Sequence, residues 1–77
     1  MTNQEVISTV RDIGIYRTKF KIVIQQHDAW FLFNMSNKVA NAETLTDGQK
    51  KYLLFIYFVV KNNKYRSKDK HTLLDKF

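Results

Sequence analysis

Cysteine and proline are both missing from this 77-residue chain, and glycine occurs only at Gly14 and Gly48. Without cysteine, neither a disulfide nor a thiolate metal site can staple the fold. Without proline and with so little glycine, long helices are unobstructed while tight glycine turns are scarce. The two glycines stand far apart, so there is no glycine-rich loop to close backbone amides on a nucleotide phosphate. Histidine is also sparse: His27 and His71 are too few for a dedicated zinc site unless carboxylates join them. Asp69, His71 and Asp75 are the best such set, but an exposed i,i+4 pair of this kind reads as a surface contact, and no metal is expected. Ser8, Ser36 and Ser67 have no base placed beside them by the sequence. The expectation is therefore a protein without enzymatic activity and without a cofactor. The opening, Met1 to Asp12, lacks a basic stretch followed by an apolar one, which speaks against a signal peptide and for the cytoplasm.

What the chain does have is positive charge, unevenly spread. The formal net charge is +6. From Met1 to Gln49, Arg11, Arg17, Lys19, Lys21 and Lys38 balance Glu5, Asp12, Asp28, Glu43 and Asp47. From Lys50 onward, Lys50, Lys51, Lys61, Lys64, Arg66, Lys68, Lys70 and Lys76 face only Asp69 and Asp75. The whole excess falls in the last third, which favours an acidic partner: nucleic acid, an anionic membrane or an acidic protein surface.

At this length, residues 1–77 make one domain, and a chain so small buries only ~60% of the surface it exposes when unfolded. Thr2 or Asn3 is placed to cap a first helix over about residues 4–13, with Val6, Ile7, Val10 and Ile13 on one face and Gly14 at its stop. Residues 15–35 read two ways. Tyr16, Thr18, Phe20, Ile22 and Ile24 alternate with Arg17, Lys19 and Lys21, the period of a half-buried strand. Gln25 to Asp28 would then turn the chain into a second strand, although that turn lacks the glycine or Asn-Gly pair of a tight hairpin. Read as helices instead, Tyr16, Phe20 and Val23 line one face and Asp28 caps a segment carrying Trp30, Phe33 and Asn37. The hairpin is preferred, giving an α+β domain, with an all-α bundle as the alternative. Residues 36–46 read as a short helical turn or loop. Thr46 or Asp47 caps a strong helix over about 48–62, ending at Asn62-Asn63, and Ser67 is placed to cap a last one.

Residues 52–60, YLLFIYFVV, are nine consecutive apolar residues. At ~1.5 Å per residue that helix is about 14 Å long, roughly half a bilayer's hydrocarbon core, so it cannot span a membrane. A helix apolar on every side belongs in a core or an interface. Part of Tyr52, Phe55, Tyr57, Phe58 and Val59 is therefore expected to meet a protein partner or a second copy. The stretch 45–67, through Leu45-Thr46, Gln49, Leu53, Phe55-Ile56, Val60-Lys61 and Tyr65, resembles the first helix and following turn of winged-helix DNA-binding domains of the LexA type. That resemblance implies a helix-turn-helix geometry. It departs from the pattern in carrying no recognition helix and β-wing before Phe77, which puts sequence-specific base readout in doubt.

Two cationic sets are candidate phosphate contacts. Lys61, Lys64, Arg66, Lys68 and Lys70 are dense enough to track a backbone, with Tyr65 beside them to stack on a base. Arg17, Lys19 and Lys21 would share one face of a strand. The expected role is a small basic nucleic-acid-binding regulator that forms a dimer, and its lysine- and asparagine-rich composition suits the AT-rich genome of a phage or mobile element. The competing role is an inhibitor or adaptor that docks its aromatic helix and basic surface on a host enzyme.

Overall fold

A computed structural model of the protein describes residues 1–65. They form three helices, α1 (Asn3–Lys19), α2 (Gln26–Ala40) and α3 (Asp47–Lys61), with no strand among the described residues. The expected α+β domain with a hairpin at 15–35 is thus overturned, and the all-helical alternative describes these residues. The helix expected after Ser67, and with it Asp69, His71 and Asp75, lies outside the described residues.

The helix starts explain much of this outcome. Thr2 Oγ1 accepts the Glu5 N–H at 3.2 Å, while the Thr2 N–H donates to the Glu5 carboxylate at 2.8 Å. Thr46 and Gln49 repeat that reciprocal pair at α3, at 3.2 and 2.9 Å. Each box satisfies two amides that a helix start otherwise leaves orphaned. From its cap α1 runs straight through Gly14, which sits in the helix interior rather than at its stop. The strand-like alternation was misleading because Tyr16 and Phe20 are also i,i+4 neighbours. Their rings stack at 6.4 Å on one helical face. Gln26 to Asp28, with no residue suited to a tight hairpin, opens α2 instead. Likewise α2 continues through residues 36–40, and only 41–46 form the connection to α3.

Val6 and Ile13 of α1, Met35 and Val39 of α2, and Leu53, Ile56 and Val60 of α3 close one core, joined by Leu45 from the second connection. α1 packs against both other helices. It runs beside α3 in the same direction. At one end Asn3 Nδ2 donates to the Glu43 carbonyl at 3.5 Å, just ahead of α3. At the other, Tyr16 meets Tyr57 edge-on at 6.4 Å. α2 returns between these ends, so the start of α2 lies with the C-termini of α1 and α3.

All three helices finish alike. The Ile22 N–H reaches the Arg17 carbonyl (2.8 Å), Glu43 reaches Lys38 (2.8 Å) and Lys64 reaches Val59 (2.6 Å). The residue before each donor, Lys21, Ala42 or Asn63, has φ of 56°, 61° or 55°. This is the Schellman closure, with a non-glycine residue in the left-handed position every time.

Candidate nucleic-acid interface

Five of the nine cations among the described residues collect at one end of the bundle, while Lys38 at the close of α2 and Lys50 and Lys51 near the start of α3 lie at the other and Arg11 lies within α1. Arg17 and Lys19 occupy the last turn of α1 and Lys21 the left-handed position just beyond it, while Lys61 ends α3 and Lys64 follows it; all five are exposed. As residues of a helix, Arg17 and Lys19 point about 200° apart at ~100° per residue. The face they were expected to share as a strand therefore does not exist, and what they share is an end. The Tyr16–Tyr57 contact brings that end together with the close of α3. Lys19 Nζ lies 5.5 Å from the Phe20 ring centroid and Lys61 Nζ 5.5 Å from that of Tyr57, so both ammonium groups rest on aromatic faces while their surroundings stay open. Cations here also complement the carbonyl ends of two helices. Glu5, Glu43 and Asp47 lie at the opposite end, by the starts of α1 and α3. Arg66, Lys68 and Lys70 lie outside the described residues.

One acid does sit at the basic end, and it is buried. Asp28, in the first turn of α2, is 4% exposed. Its Oδ1 accepts the Tyr52 hydroxyl and lies 3.1 Å from His27 Nε2, and its Oδ2 accepts the Tyr65 hydroxyl. The Tyr65 oxygen in turn accepts the Gln25 N–H at 3.0 Å. Burial, with the Asp28 hydrogen bond second, pushes the Tyr52 phenol up to about 12 and raises that of Tyr65 further still. Tyr65, singled out as a stacking ring, is thus half-buried with its hydroxyl committed to Asp28. With its oxygens committed to these donors, Asp28 serves as a structural anchor.

The apolar helix divides its residues. Leu53, Ile56 and Val60 are core, and Tyr52, Tyr57 and Val59 are half-buried against their own chain. Phe55 (59% exposed) and Phe58 (61%) point outward beside Leu54, which the sequence reading did not select. A second exposed aromatic pair, named in the sequence only as part of the alternative helix and not as a site, lies on α2: Trp30 and Phe33, each 57% exposed, their rings edge-to-face at 6.2 Å. Their i,i+3 spacing on a helix was the available signal, obscured by the strand assignment. No family model, curated protein or solved structure matches this chain. Among the described residues no helix is long and apolar enough to cross a membrane, and no three His, Asp or Glu side chains gather as a metal site.

Proposed function

We propose that this is a small, non-enzymatic nucleic-acid-binding regulatory protein that neutralises backbone phosphates with the basic end of its bundle, acting in the cytoplasm. The observation that supports it is the gathering of Arg17, Lys19, Lys21, Lys61 and Lys64 at one end while Glu5, Glu43 and Asp47 occupy the other. Polyanion affinity needs such a one-signed surface and little else, since each neutralised phosphate adds ~0.7–0.9 to the salt slope of binding. The sequence continues directly from this end into Arg66, Lys68 and Lys70. The composition fits an AT-rich genome, such as that of a phage or mobile element.

The test compares a Lys19→Glu, Lys61→Glu, Lys64→Glu triple variant with a Lys50→Glu, Lys51→Glu control near the start of α3. Retention of labelled oligonucleotides is measured at about 50 and 200 mM salt. The triple variant loses retention and its salt slope falls by ~2–3, while the control retains most of its binding. Equal losses in both variants, or a wild type that ignores oligonucleotides at the lower salt, would sink the proposal.

A second reading, a protein-interaction module or homodimer, is favoured by the outward Leu54, Phe55 and Phe58 stripe on α3. Large aromatics exposed side by side are the usual anchors of a protein interface.

A further inference from the structure

We infer that the groove between α1 and α2 takes an unpaired nucleobase, so that the nucleic acid bound is single-stranded; this rests on the nucleic-acid reading above. Two depressions adjoin on that side of the bundle. One, of about 310 Å³, is lined by Gln26, Ala29, Trp30 and Phe33. The other, of about 250 Å³, lies between the helices and includes Gly14, Arg17, Ile24, Ala29 and Phe33 in its wall. Ala29 and Phe33 belong to both, so a single trough runs from the Trp30 ring to the Arg17 guanidinium. No acidic side chain lines either part. Gly14 keeps the α1 side open, for a Cβ built there meets nothing within 4 Å.

An aromatic surface at one end and a cation at the other match a flat, apolar base carried on a phosphate. A duplex hides its base faces in its own stack and has no use for such a trough. A single strand offers base and phosphate together, and aromatic side chains bind it by stacking whatever the sequence. The trough opens at the basic end, because Arg17 belongs to that cluster and Gln25, beside Gln26, is bonded to Tyr65 there. The other rings of that end are engaged: Phe20 lies under Lys19, Tyr57 under Lys61, and Tyr65 holds Asp28. Trp30, with Phe33 edge-on beside it, is therefore the ring offered for stacking, the part the sequence had given to Tyr65.

Trp30 is the chain's single tryptophan, so its emission reports directly on the trough. The experiment titrates the protein with a single-stranded oligonucleotide and with a duplex of the same sequence at about 50 mM salt. The single strand quenches Trp30 and binds about tenfold more tightly than the duplex. Trp30→Leu and Gly14→Leu each weaken single-strand binding by about tenfold, read by polarisation of the labelled strand, and leave duplex binding unchanged. Trp30 is exposed and half-buried Gly14 has no atom within 4 Å of an added Cβ, and an unaltered helical dichroism signal verifies that each variant folds. Equal affinity for the two forms with Trp30 emission unmoved overturns the inference while the nucleic-acid reading stands. Emission that shifts only with a co-purifying protein overturns it in favour of a protein groove, and no binding of either nucleic-acid form removes both.

Discussion

Asp28 owes its burial to hydroxyl groups supplied from 24 and 37 residues further along the chain. It occupies the third position of α2, where Glu5 and Gln49 in the other two helices reach back to their own cap amide. An aspartate is one methylene too short for that reach. The Tyr65 hydroxyl spans the gap by accepting the Gln25 N–H and donating to the Asp28 carboxylate, a capping box completed from another part of the chain. Tyr65→Phe keeps the ring and removes the bridge, leaving two polar groups short of a partner, and should destabilise the fold by ~1–3 kcal/mol in a urea titration. The same anchor sets a pH response. Phenols whose pKa rises on folding contribute stability that is whole below their ordinary value of about 10. That contribution is lost as pH climbs through the folded value, about 12 for Tyr52. The wild-type melting temperature should therefore fall between these limits more steeply than that of Tyr52→Phe. Parallel curves would show that the phenol proton is not held by the fold.

At the level of elements, the chain places its glycines and its left-handed turns in different places. Gly14 lies inside α1 and Gly48 in the first turn of α3, neither with positive φ, while Lys21, Ala42 and Asn63 carry the three left-handed closures. A side chain in that conformation costs ~1–2 kcal/mol, and a glycine inside a helix costs ~0.5–1 kcal/mol relative to alanine. Ala42→Gly and Gly14→Ala should thus each stabilise the protein by about 1 kcal/mol. For a chain of this size that raises the melting temperature by ~4–8 °C per substitution, measured by thermal dichroism. The sequence did narrow the caps to Thr2 or Asn3 and to Thr46 or Asp47, the threonines proving to be the caps, and it did announce the α3 helix and its end at Asn62-Asn63, because these depend on side chains close by. It misplaced the end of α1 because glycine marks a helix stop only when its backbone turns left-handed, and Gly14's does not. It misread 15–35 because Tyr16 and Phe20 satisfy the strand and helix periods together. Only the missing hairpin turn residue argued for helix, and that signal is negative.

Over the whole molecule, the two cationic sets were visible in the chain, but the meeting of their described members, Arg17, Lys19 and Lys21 with Lys61 and Lys64, depends on α1 and α3 running the same way, which no local pattern encodes. The same holds for Asp28, whose partners Tyr52 and Tyr65 were assigned to an interface and to stacking. The α3 aromatics were half anticipated: the chain cannot cover all of its apolar helix, and Phe55 and Phe58 are what it leaves out, with Leu54 beside them. If that stripe is a seam between two copies, Phe55→Ser with Phe58→Ser removes its anchors without opening the core formed by Leu53, Ile56 and Val60. Substituting surface residues of this kind shifts stability by only ~0.5 kcal/mol, so the double variant should keep its melting transition. In sedimentation it should run as a monomer where the wild type runs as a dimer. A dimer also presents two basic ends to one polyanion, so losing it should make the salt slope of oligonucleotide retention shallower while leaving each end intact. A double variant that sediments and binds as the wild type does would free the stripe from self-association and leave it to a different protein.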